Sequence, residues 1–247
     1  MEQFLCVELL IGKEKLKKLR ESSVTVIGLG AVGSYAVEAL ARAGVGALRL
    51  VDFDTLKPTN LNRHLAALHS TLGKFKADVL KDRVLDINPV CSVEALTIFA
   101  DKESLPGIFS NKPDLVIDAI DSLNPKVQVL SECSKLGIPI VSSMGAALRI
   151  NPFSVKTGDI FETKGCPLAQ RIRKRLRKEK IGKGILCVYS DESCKHARLK
   201  GDVQGESYFE RGRARGKMGS LPTVTGIFGL AVAHCSIEYL CGGFTIS

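Results

Sequence analysis

Short apolar runs alternate with longer amphipathic segments over the first 148 residues of the chain. The runs are rich in β-branched residues, which is typical of buried strands, and lie at 24–27, 47–51, 93–98, 115–117 and 138–141. The amphipathic segments repeat apolar residues at helical spacing and lie at 8–20, 34–43, 74–87, 102–110 and 124–136. This alternation predicts a Rossmann-type doubly wound α/β fold, with a mainly parallel sheet and helices on both of its faces.

Beyond residue 148 the alternation loosens. The pattern there predicts a strand or hairpin at 153–161, a basic helix at 167–178, a strand at 185–189 and an apolar closing helix at 223–240. A polar, glycine-rich stretch at 191–220 predicts a loop. We therefore expect one domain over 1–247, made of a nucleotide-binding Rossmann core at 8–148 and a C-terminal extension at 149–247.

The closing stretch 221–240 is the one segment whose length and apolar character suggest a membrane span. It contains Pro222, His234 and Glu238, and polar residues of this kind are costly in a span that faces lipid. We expect a buried helix in a cytoplasmic protein and do not expect membrane association. Peripheral or single-pass membrane attachment through 221–240 is the alternative.

Of the features of the composition, only the net charge and the cysteine pattern narrow the range of possible functions. Hydrophobic residues make up 45% of the 247 and charged residues 25%, which is ordinary for a globular protein. The net charge of +9 favours an anionic partner, whether nucleic acid, nucleotide or a membrane surface. The eight cysteines form no C-x-x-C pair, which argues against a structural zinc site and favours buried thiols in a reducing compartment.

The sequence Gly28-x-Gly30-x-x-Gly33 stands between a predicted strand and a predicted helix. In such a motif Gly28 permits the tight turn, Gly30 lets a phosphate approach the backbone, and Gly33 allows close packing of the helix. Asp52 ends the second strand, 19 residues after Gly33, where an acid typically binds the ribose hydroxyls. These features predict a nucleotide site without separating NAD from ATP.

Polar residues after Asp52 favour ATP. They occur in three stretches: Asp52-x-Asp54-x5-Asn60-x-Asn62-Arg63, Gly73-x-x-Lys76-Ala77 and Asp118-Ala-Ile-Asp121-Ser122. An enzyme that moves a hydride with NAD has no need of such a set. An enzyme that adenylates its substrate must hold a triphosphate and Mg²⁺ and stabilise the charge that builds on the α-phosphate.

Together with the glycine motif, these stretches resemble the ubiquitin-activating-type adenylating superfamily (the HesA-MoeB-ThiF group) over residues 8–148. Within that superfamily, the stretches at 8–12, 118–126, 167–177 and 188–192 resemble the tRNA threonylcarbamoyladenosine dehydratases. The resemblance implies a homodimer that uses ATP and Mg²⁺. It would adenylate the threonylcarbamoyl carboxylate of a modified adenosine in a tRNA anticodon loop and then cyclise it with loss of water. The extension would bind tRNA and the partner subunit, and a sulfur-relay or activator protein is a further possible partner.

The resemblance also implies a role for each residue of these motifs. Arg63, Lys76 and Asp121 would be catalytic, with Arg63 as the chief charge stabiliser, Lys76 at the α-phosphate and Asp121 as the Mg²⁺ ligand. The other nucleotide-binding residues would be Gly28, Gly30 and Gly33 at the phosphates, Asp52 at the ribose and Asn62 at the triphosphate. Asp54 would orient the loop. Apart from the resemblance, the position of Asp118 at the end of a predicted strand favours a buried strand-end cap over a ligand.

One departure from the family pattern lies at the N-terminus. Members often begin R-F-x-R-x-x-L, and an arginine there can reach the nucleotide of the partner subunit. The matching positions in this chain are Gln3, Phe4 and Cys6, so that cation is missing. Lys13 and Arg20 are the candidate replacements.

Basic residues crowd the predicted helix at 167–178. They are Arg171, Arg173, Lys174, Arg175, Arg177 and Lys178, and more follow between 193 and 218. This density suits contacts with a phosphate backbone, so we expect a tRNA-binding face, with a solvated basic surface as the bland alternative.

Three other functions stay open from the sequence alone. A sulfur-carrier-protein adenylyltransferase, of the molybdopterin-synthase or thiamine-thiocarboxylate type, commonly carries two C-x-x-C pairs that this chain lacks. An NAD(P)-dependent oxidoreductase and a non-catalytic tRNA-binding or sulfur-transfer partner are the others. A cysteine intermediate through Cys166, Cys187, Cys194 or Cys235 is a variant of the main hypothesis, although ring closure within one side chain needs no protein nucleophile.

Overall fold

A seven-stranded sheet organises the chain, and the computed structural model describes residues 2–193 and 218–243. The strands are β1 (Ser23–Ile27), β2 (Ala47–Val51), β3 (Ser92–Leu96), β4 (Leu115–Asp118), β5 (Ile140–Ser143), β6 (Val155–Asp159) and β7 (Leu186–Ser190). The helices are α1 (Leu5–Ile11), α2 (Lys13–Glu21), α3 (Gly33–Ala43), α4 (Lys76–Ile87), α5 (Leu105–Ile108), α6 (Leu123–Leu136), α7 (Pro167–Lys178) and α8 (Pro222–Leu240).

The strand order is β3-β2-β1-β4-β5-β7-β6, and every pairing is parallel except that of β6 with β7. Two apolar clusters cover the two faces of the sheet. One is formed with α3, α4 and α8 and the other with α5, α6 and α7. The predicted mainly parallel Rossmann-type sheet with helices on both faces is therefore confirmed, and β7 joins residues of the 149–247 segment to the same sheet.

The order of the strands places a crevice between β1 and β4. The chain leaves β1 toward β2 and β3 on one side and then crosses back to β4 on the other. Loops that follow two such strands run in opposite directions, which opens a ligand-binding crevice at their carboxyl ends. The glycine motif follows β1, and the segment with Asp121 follows β4.

Several predicted elements differ in extent from the observed ones. The predicted helix at 8–20 is broken at Gly12, which has a φ of +87°, into α1 and α2. The predicted helix at 102–110 shrinks to α5, because the Asp101 carboxylate accepts the N–H groups of Glu103 and Ser104 and forms a turn instead. The strand or hairpin at 153–161 is the single edge strand β6. Most of the predicted loop at 191–220 lies outside the described residues.

The closing helix α8 packs on α3, directly behind the glycine motif. By length and composition α8 could cross a membrane, and half of its apolar stretch is buried inside the protein. Its Gly229 lies against α3 so closely that an added Cβ would overlap the Val32 carbonyl oxygen and lie 2.6 Å from Tyr35 Cβ. The start of α3 is thus fixed from behind by a helix that lies far away in sequence.

We predict that Gly229→Ala lowers the free energy of unfolding by about 1–2 kcal/mol, because overpacking outweighs the gain in helix propensity. Gly226→Ala on the same helix is the matched control. Its Cβ would come no closer than 3.5 Å, to the Tyr35 ring, so this variant should be as stable as the parent or slightly more so. Urea denaturation measures both, and equal effects would contradict the assigned α3–α8 contact.

Candidate active site

The glycine motif forms a turn that packs against the segment after β4. Gly28 has a φ of +88°, and a Cβ there would lie 2.8–2.9 Å from backbone atoms of Ala119 and Ile120. A Cβ at Gly33 would overlap the carbonyl oxygen of Gly28. A Cβ at Gly30, by contrast, would meet nothing within 4 Å. Gly28 and Gly33 therefore serve the turn and the close packing, whereas Gly30 leaves open surface of the kind a phosphate needs.

Asp52 connects the end of β2 to this turn. Its buried carboxylate accepts the N–H of Leu29 at 2.7 Å and that of Asp54 at 2.8 Å. Burial raises the pKa of Asp52 from its ordinary value, and the ammonium of Lys76 opposes that rise. A carboxylate offers about four acceptor positions, so one that orients the loop can still accept a ribose hydroxyl.

Lys76 is buried at the start of α4, with 7% of its surface exposed, and is not a solvated lysine. Its ammonium lies 2.9 Å from the Asp54 carboxylate and 3.9 Å from that of Asp52. Asp54 thus contacts the candidate catalytic lysine and also accepts its backbone N–H through a carbonyl oxygen at 3.0 Å. The three residues form one charged cluster beside the glycine turn.

Asn62 and Arg63 lie together nearer the surface. The Arg63 guanidinium donates through Nη1 to the Thr59 carbonyl and to Asn62 Oδ1, both at 2.8 Å. The Asn62 amide donates to the Ser220 carbonyl at 3.2 Å. Both side chains are therefore oriented by neutral oxygen acceptors at the edge of the crevice.

His64 links this pair to the glycine turn, a role that sequence reasoning missed. Its Nδ1 accepts the Ala66 N–H at 3.1 Å, so the neutral ring carries its proton on Nε2 and donates it to the Leu29 carbonyl at 2.7 Å. Burial lowers the pKa of His64 to about 4. The only signal in the sequence was its position directly after Arg63.

A fully buried ion pair shapes the segment that carries Asp121. Asp118 and Lys126 are both 0% exposed, with 2.8 Å between Nζ and Oδ2. The carboxylate also accepts the Ser142 hydroxyl at 2.7 Å and the Ile120 N–H at 3.1 Å, while the ammonium donates to the Ile120 carbonyl at 2.8 Å. Asp118 therefore acts as the expected strand-end cap. Lys126 was missed, although a lysine on the apolar face of a predicted helix is an unusual feature.

Asp121 is exposed just beyond this network. It precedes Ser122, the residue at the N-cap position of α6, and its carboxylate accepts the Ser122 hydroxyl at 3.3 Å. In the part of the chain that the structure describes, no group of three or more His, Cys, Asp or Glu residues could enclose a metal ion. A divalent ion at Asp121 would need the phosphates of a nucleotide as its other ligands, which is a usual arrangement for Mg²⁺.

The basic residues of α7 divide into two groups. Arg173 is half-buried and donates to Thr163 Oγ1 and to the Ile160 carbonyl, and the Arg177 guanidinium stacks on the Phe161 ring at 5.4 Å. The exposed remainder of the predicted tRNA-binding set is Arg171, Lys174, Arg175 and Lys178. The basic residues predicted between 193 and 218 lie almost wholly outside the described residues.

The remaining candidate residues are the cysteines proposed as nucleophiles and the residues near the N-terminus. Burial raises the pKa of the Cys187 thiol to about 12 and also raises that of Cys235, so both are protonated at neutral pH. Cys194 lies outside the described residues. Cys6 is exposed on α1. Arg20, at the end of α2, stacks on the Phe4 ring at 5.5 Å. This contact lies near the amino end of β1, at the opposite edge of the sheet from the glycine turn.

Comparisons with known proteins identify the family and the relatives of this chain. The sequence matches the model of the ThiF family over residues 5–245. It is 48% identical over 193 residues to the tRNA threonylcarbamoyladenosine dehydratase of Bacillus subtilis, covering 78% of this chain and 76% of that protein. It is 35% identical to the molybdopterin-synthase adenylyltransferase of Haemophilus influenzae, covering 56% of this chain and 55% of that protein. Among solved structures, the E. coli tRNA N6-threonylcarbamoyladenosine dehydratase TcdA in complex with ATP superposes with a TM-score of 0.85 at 32% identity, covering 98% of this chain and 94% of TcdA.

We predict that His64 makes the protein less stable at acid pH. Between its ordinary pKa of 6.5 and its folded pKa of about 4, the unfolded chain binds a proton that the folded protein excludes. The free energy of unfolding therefore falls by roughly 3 kcal/mol on this account as the pH drops through that window. In urea denaturation, the stability difference between the parent and His64→Gln should shrink from pH 7 to pH 4, and a constant difference would refute this assignment.

We also predict that Lys126→Met destabilises the protein by about 3–5 kcal/mol, because it leaves the Asp118 carboxylate buried without its partner. The double variant Lys126→Met/Asp118→Asn, which removes both charges, should recover most of that loss. The same denaturation measurement distinguishes the two. A double variant as unstable as the single one would show that the pairing of charges is not what matters.

Proposed function

The chain belongs to the ThiF family, and we propose that it is an ATP-dependent enzyme that cyclises the threonylcarbamoyl group of a modified adenosine in tRNA. The observation that carries this proposal is the match to the tRNA threonylcarbamoyladenosine dehydratases over nearly the whole chain, including the segment with β6, α7 and β7. The match to the molybdopterin-synthase adenylyltransferase covers only about half of the chain. The dehydratase function is thus favoured over the sulfur-carrier alternative.

The first step joins the substrate carboxylate to ATP. A carboxylate oxygen attacks the α-phosphorus, the bond from that phosphorus to the bridging oxygen breaks, and pyrophosphate leaves. We assign the phosphates to the open surface at Gly30, the ribose to Asp52 and the triphosphate to Asn62 and Arg63. Lys76 lies between two carboxylates beside the turn and would neutralise charge on the α-phosphate as it builds up.

The second step closes the ring. A nitrogen of the same side chain attacks the activated carbonyl, a C–N bond forms, the C–O bond to AMP breaks, and the nitrogen releases its proton. The modified tRNA ends lighter by one water. The step needs no protein nucleophile because the reacting groups belong to one side chain. The raised pKa values of Cys187 and Cys235 make both thiols poor nucleophiles at neutral pH.

Mg²⁺, when bound, would offset negative charge on the phosphates, and Asp121 is the residue proposed to hold it. The carboxylate is exposed at the carboxyl end of β4, and the Asp118–Lys126 pair fixes the backbone just before it. A single carboxylate that shares the ion with phosphate oxygens fits the coordination habits of Mg²⁺.

We assign tRNA contact to the exposed basic face of α7. Arg171, Lys174, Arg175 and Lys178 would meet backbone phosphates, while Arg173 and Arg177 anchor the helix to residues 160–163 and add to its positive field. We propose a cytoplasmic location, which is compatible with a tRNA substrate. An activator or sulfur-relay partner stays a hypothesis that no feature described above supports.

A homodimer is part of the proposal. The α1 helix exposes Leu9 and Leu10 at 77% and 85% of their surfaces, and an apolar helix face of this kind is typically covered by another protein surface. Cys6 lies on the same helix at the position where the family often has an arginine. We therefore expect any partner contribution to the nucleotide site to come from a residue other than that arginine.

The test is pyrophosphate release from ATP and Mg²⁺ with tRNA that carries threonylcarbamoyladenosine. We expect release that depends on this modification, and a nucleoside product lighter by one water in mass spectrometry. Arg63→Ala should slow release by about 100- to 1,000-fold, as expected for loss of one group that stabilises transition-state charge.

Arg42→Ala removes an exposed arginine of α3 that pairs with Glu38, away from the site, and should leave the rate unchanged. Release with a carrier protein that ends in Gly-Gly, and none with modified tRNA, would replace this function by the sulfur-carrier alternative. An unchanged rate in Arg63→Ala would remove Arg63 from the mechanism.

A further inference from the structure

Arg149 is a buried cation that the proposed mechanism does not use. It follows β5, and only 2% of its surface is exposed. Its Nη2 donates to the Gly165 carbonyl at 3.2 Å, but Nε and Nη1 are buried without a hydrogen-bond partner among the residues that the structure describes. Buried donors are nearly always satisfied in folded proteins, so unsatisfied ones indicate a missing ligand, ion or water.

The backbone around Arg149 is held in a costly conformation. Leu148 has a φ of +62°, a region that residues with a side chain rarely occupy. The Glu192 carboxylate accepts the N–H groups of Ile150 and Asn151 at 3.0 Å and fixes the segment on the other side of Arg149. Strain combined with buried donors that lack hydrogen-bond partners is typical of functional sites rather than of a packing core.

The start of α7 lies beside the same guanidinium. Gly165, whose carbonyl Arg149 contacts, directly precedes Cys166, the N-cap residue of this 12-residue helix. Within the described residues no side chain caps that helix end, so its first N–H groups and the positive end of its dipole stay available to an anion. Gly165 and Pro167, on either side of the N-cap residue, are exposed, so this helix end lies at the protein surface.

Among the described residues, the carboxylates of Asp191 and Glu192 lie near this segment; Glu192 accepts backbone N–H groups, and Asp191 interacts with Arg149 through its charge. It is exposed and forms an ion pair with Lys156, and this lysine, aided to a lesser degree by Arg149, holds the pKa of Asp191 below its usual range. Its negative charge is thus already balanced by Lys156. Within the described part of the chain, Nε and Nη1 of Arg149 remain without a hydrogen-bond partner.

Residues 219 and 220 connect the Arg149 segment to the nucleotide crevice. The N–H of Leu148, next to Arg149, donates to the Gly219 carbonyl at 2.9 Å, and Asn62 donates to the carbonyl of the next residue, Ser220. Two consecutive residues thus contact both the proposed triphosphate-binding pair and the Arg149 segment. Both sites lie at the carboxyl edge of the sheet, with Arg149 on the side of β5 and β7.

We propose that Arg149 and the first turn of α7 bind an oxyanion of the tRNA substrate. This inference rests on the proposed function. A guanidinium and a helix N-terminus both favour carboxylate or phosphate oxygens. The oxyanion is either the side-chain carboxylate of the modified adenosine or a backbone phosphate of an unpaired nucleotide. Arg149 is 2% exposed, so an unpaired nucleotide of a loop, which can be turned out of its stack, suits this site better than a duplex does.

The test compares Arg149→Met with the parent in binding to modified and unmodified tRNA. We expect the affinity for modified tRNA to fall by about 10- to 100-fold, as for the loss of charge-assisted hydrogen bonds. The KM for ATP should not change. An equal loss for both tRNAs identifies a phosphate, whereas a loss confined to modified tRNA identifies the carboxylate. Arg42→Met is the matched charge control, and unchanged affinity for both tRNAs in Arg149→Met overturns the inference.

Thermal unfolding separates binding from a structural role. Removal of an unpaired buried charge should leave the Tm of Arg149→Met equal to that of the parent or higher. With AMP saturating the nucleotide site, inorganic phosphate at constant ionic strength should raise the Tm of the parent more than that of Arg149→Met. If Arg149→Met does not fold, the phosphate titration of the parent alone tests the inference. A parent Tm that phosphate leaves unchanged would then overturn it. A parent that is inactive on modified tRNA refutes the proposed function, while the phosphate titration still tests the anion site.

Discussion

The whole site depends on one close backbone contact, between the turn after β1 and the turn after β4. Gly28 approaches Ala119 and Ile120 so closely that no side chain fits between them. The contact closes the bottom of the crevice and brings the phosphate-binding surface near Asp121. The Asp118–Lys126 pair holds one side of this contact by bonding both peptide groups of Ile120. Asp52 holds the other side through the Leu29 N–H.

Buried charged side chains orient the residues that line the crevice. Asp52, Lys76 and Asp118 are each desolvated, yet each has partners within hydrogen-bonding or ion-pair distance. Desolvation of this kind adds little to stability, but it fixes geometry because removing any partner is costly. Arg149 differs from the others because two of its nitrogens have no hydrogen-bond partner in residues 2–193 and 218–243. That difference separates a residue that orients the protein from one that awaits a ligand.

The two anionic ligands of the proposed reaction would then meet along a single sheet edge. ATP would lie over β1, β2 and β4, where the glycine turn and its charged cluster are. The tRNA would approach over β5 and β7, where α7 begins and Arg149 is buried. The segment 218–220 touches both sides through Asn62 and Leu148. An adenylating enzyme needs this layout, because carboxylate and α-phosphate must come together while the rest of each ligand stays apart.

The sequence alone determined six of the seven strands, the main helices, the glycine turn and the acid at the end of β2, and it left β6 open as a strand or a hairpin. The strands and helices arise from local periodicity, and the turn arises from glycines in a short motif. The tertiary structure decided the strand order and the break at Gly12. It also decided the burial of Lys76 and the roles of His64, Lys126 and Arg149. His64 forms a hydrogen bond with Leu29, 35 positions away, and Arg149 forms one with Gly165, 16 positions away. Lys126 is closer to its partner in sequence, but its role depends on complete burial under the sheet. Such contacts carry no periodic signal, since they depend on which distant segments the packed sheet brings together.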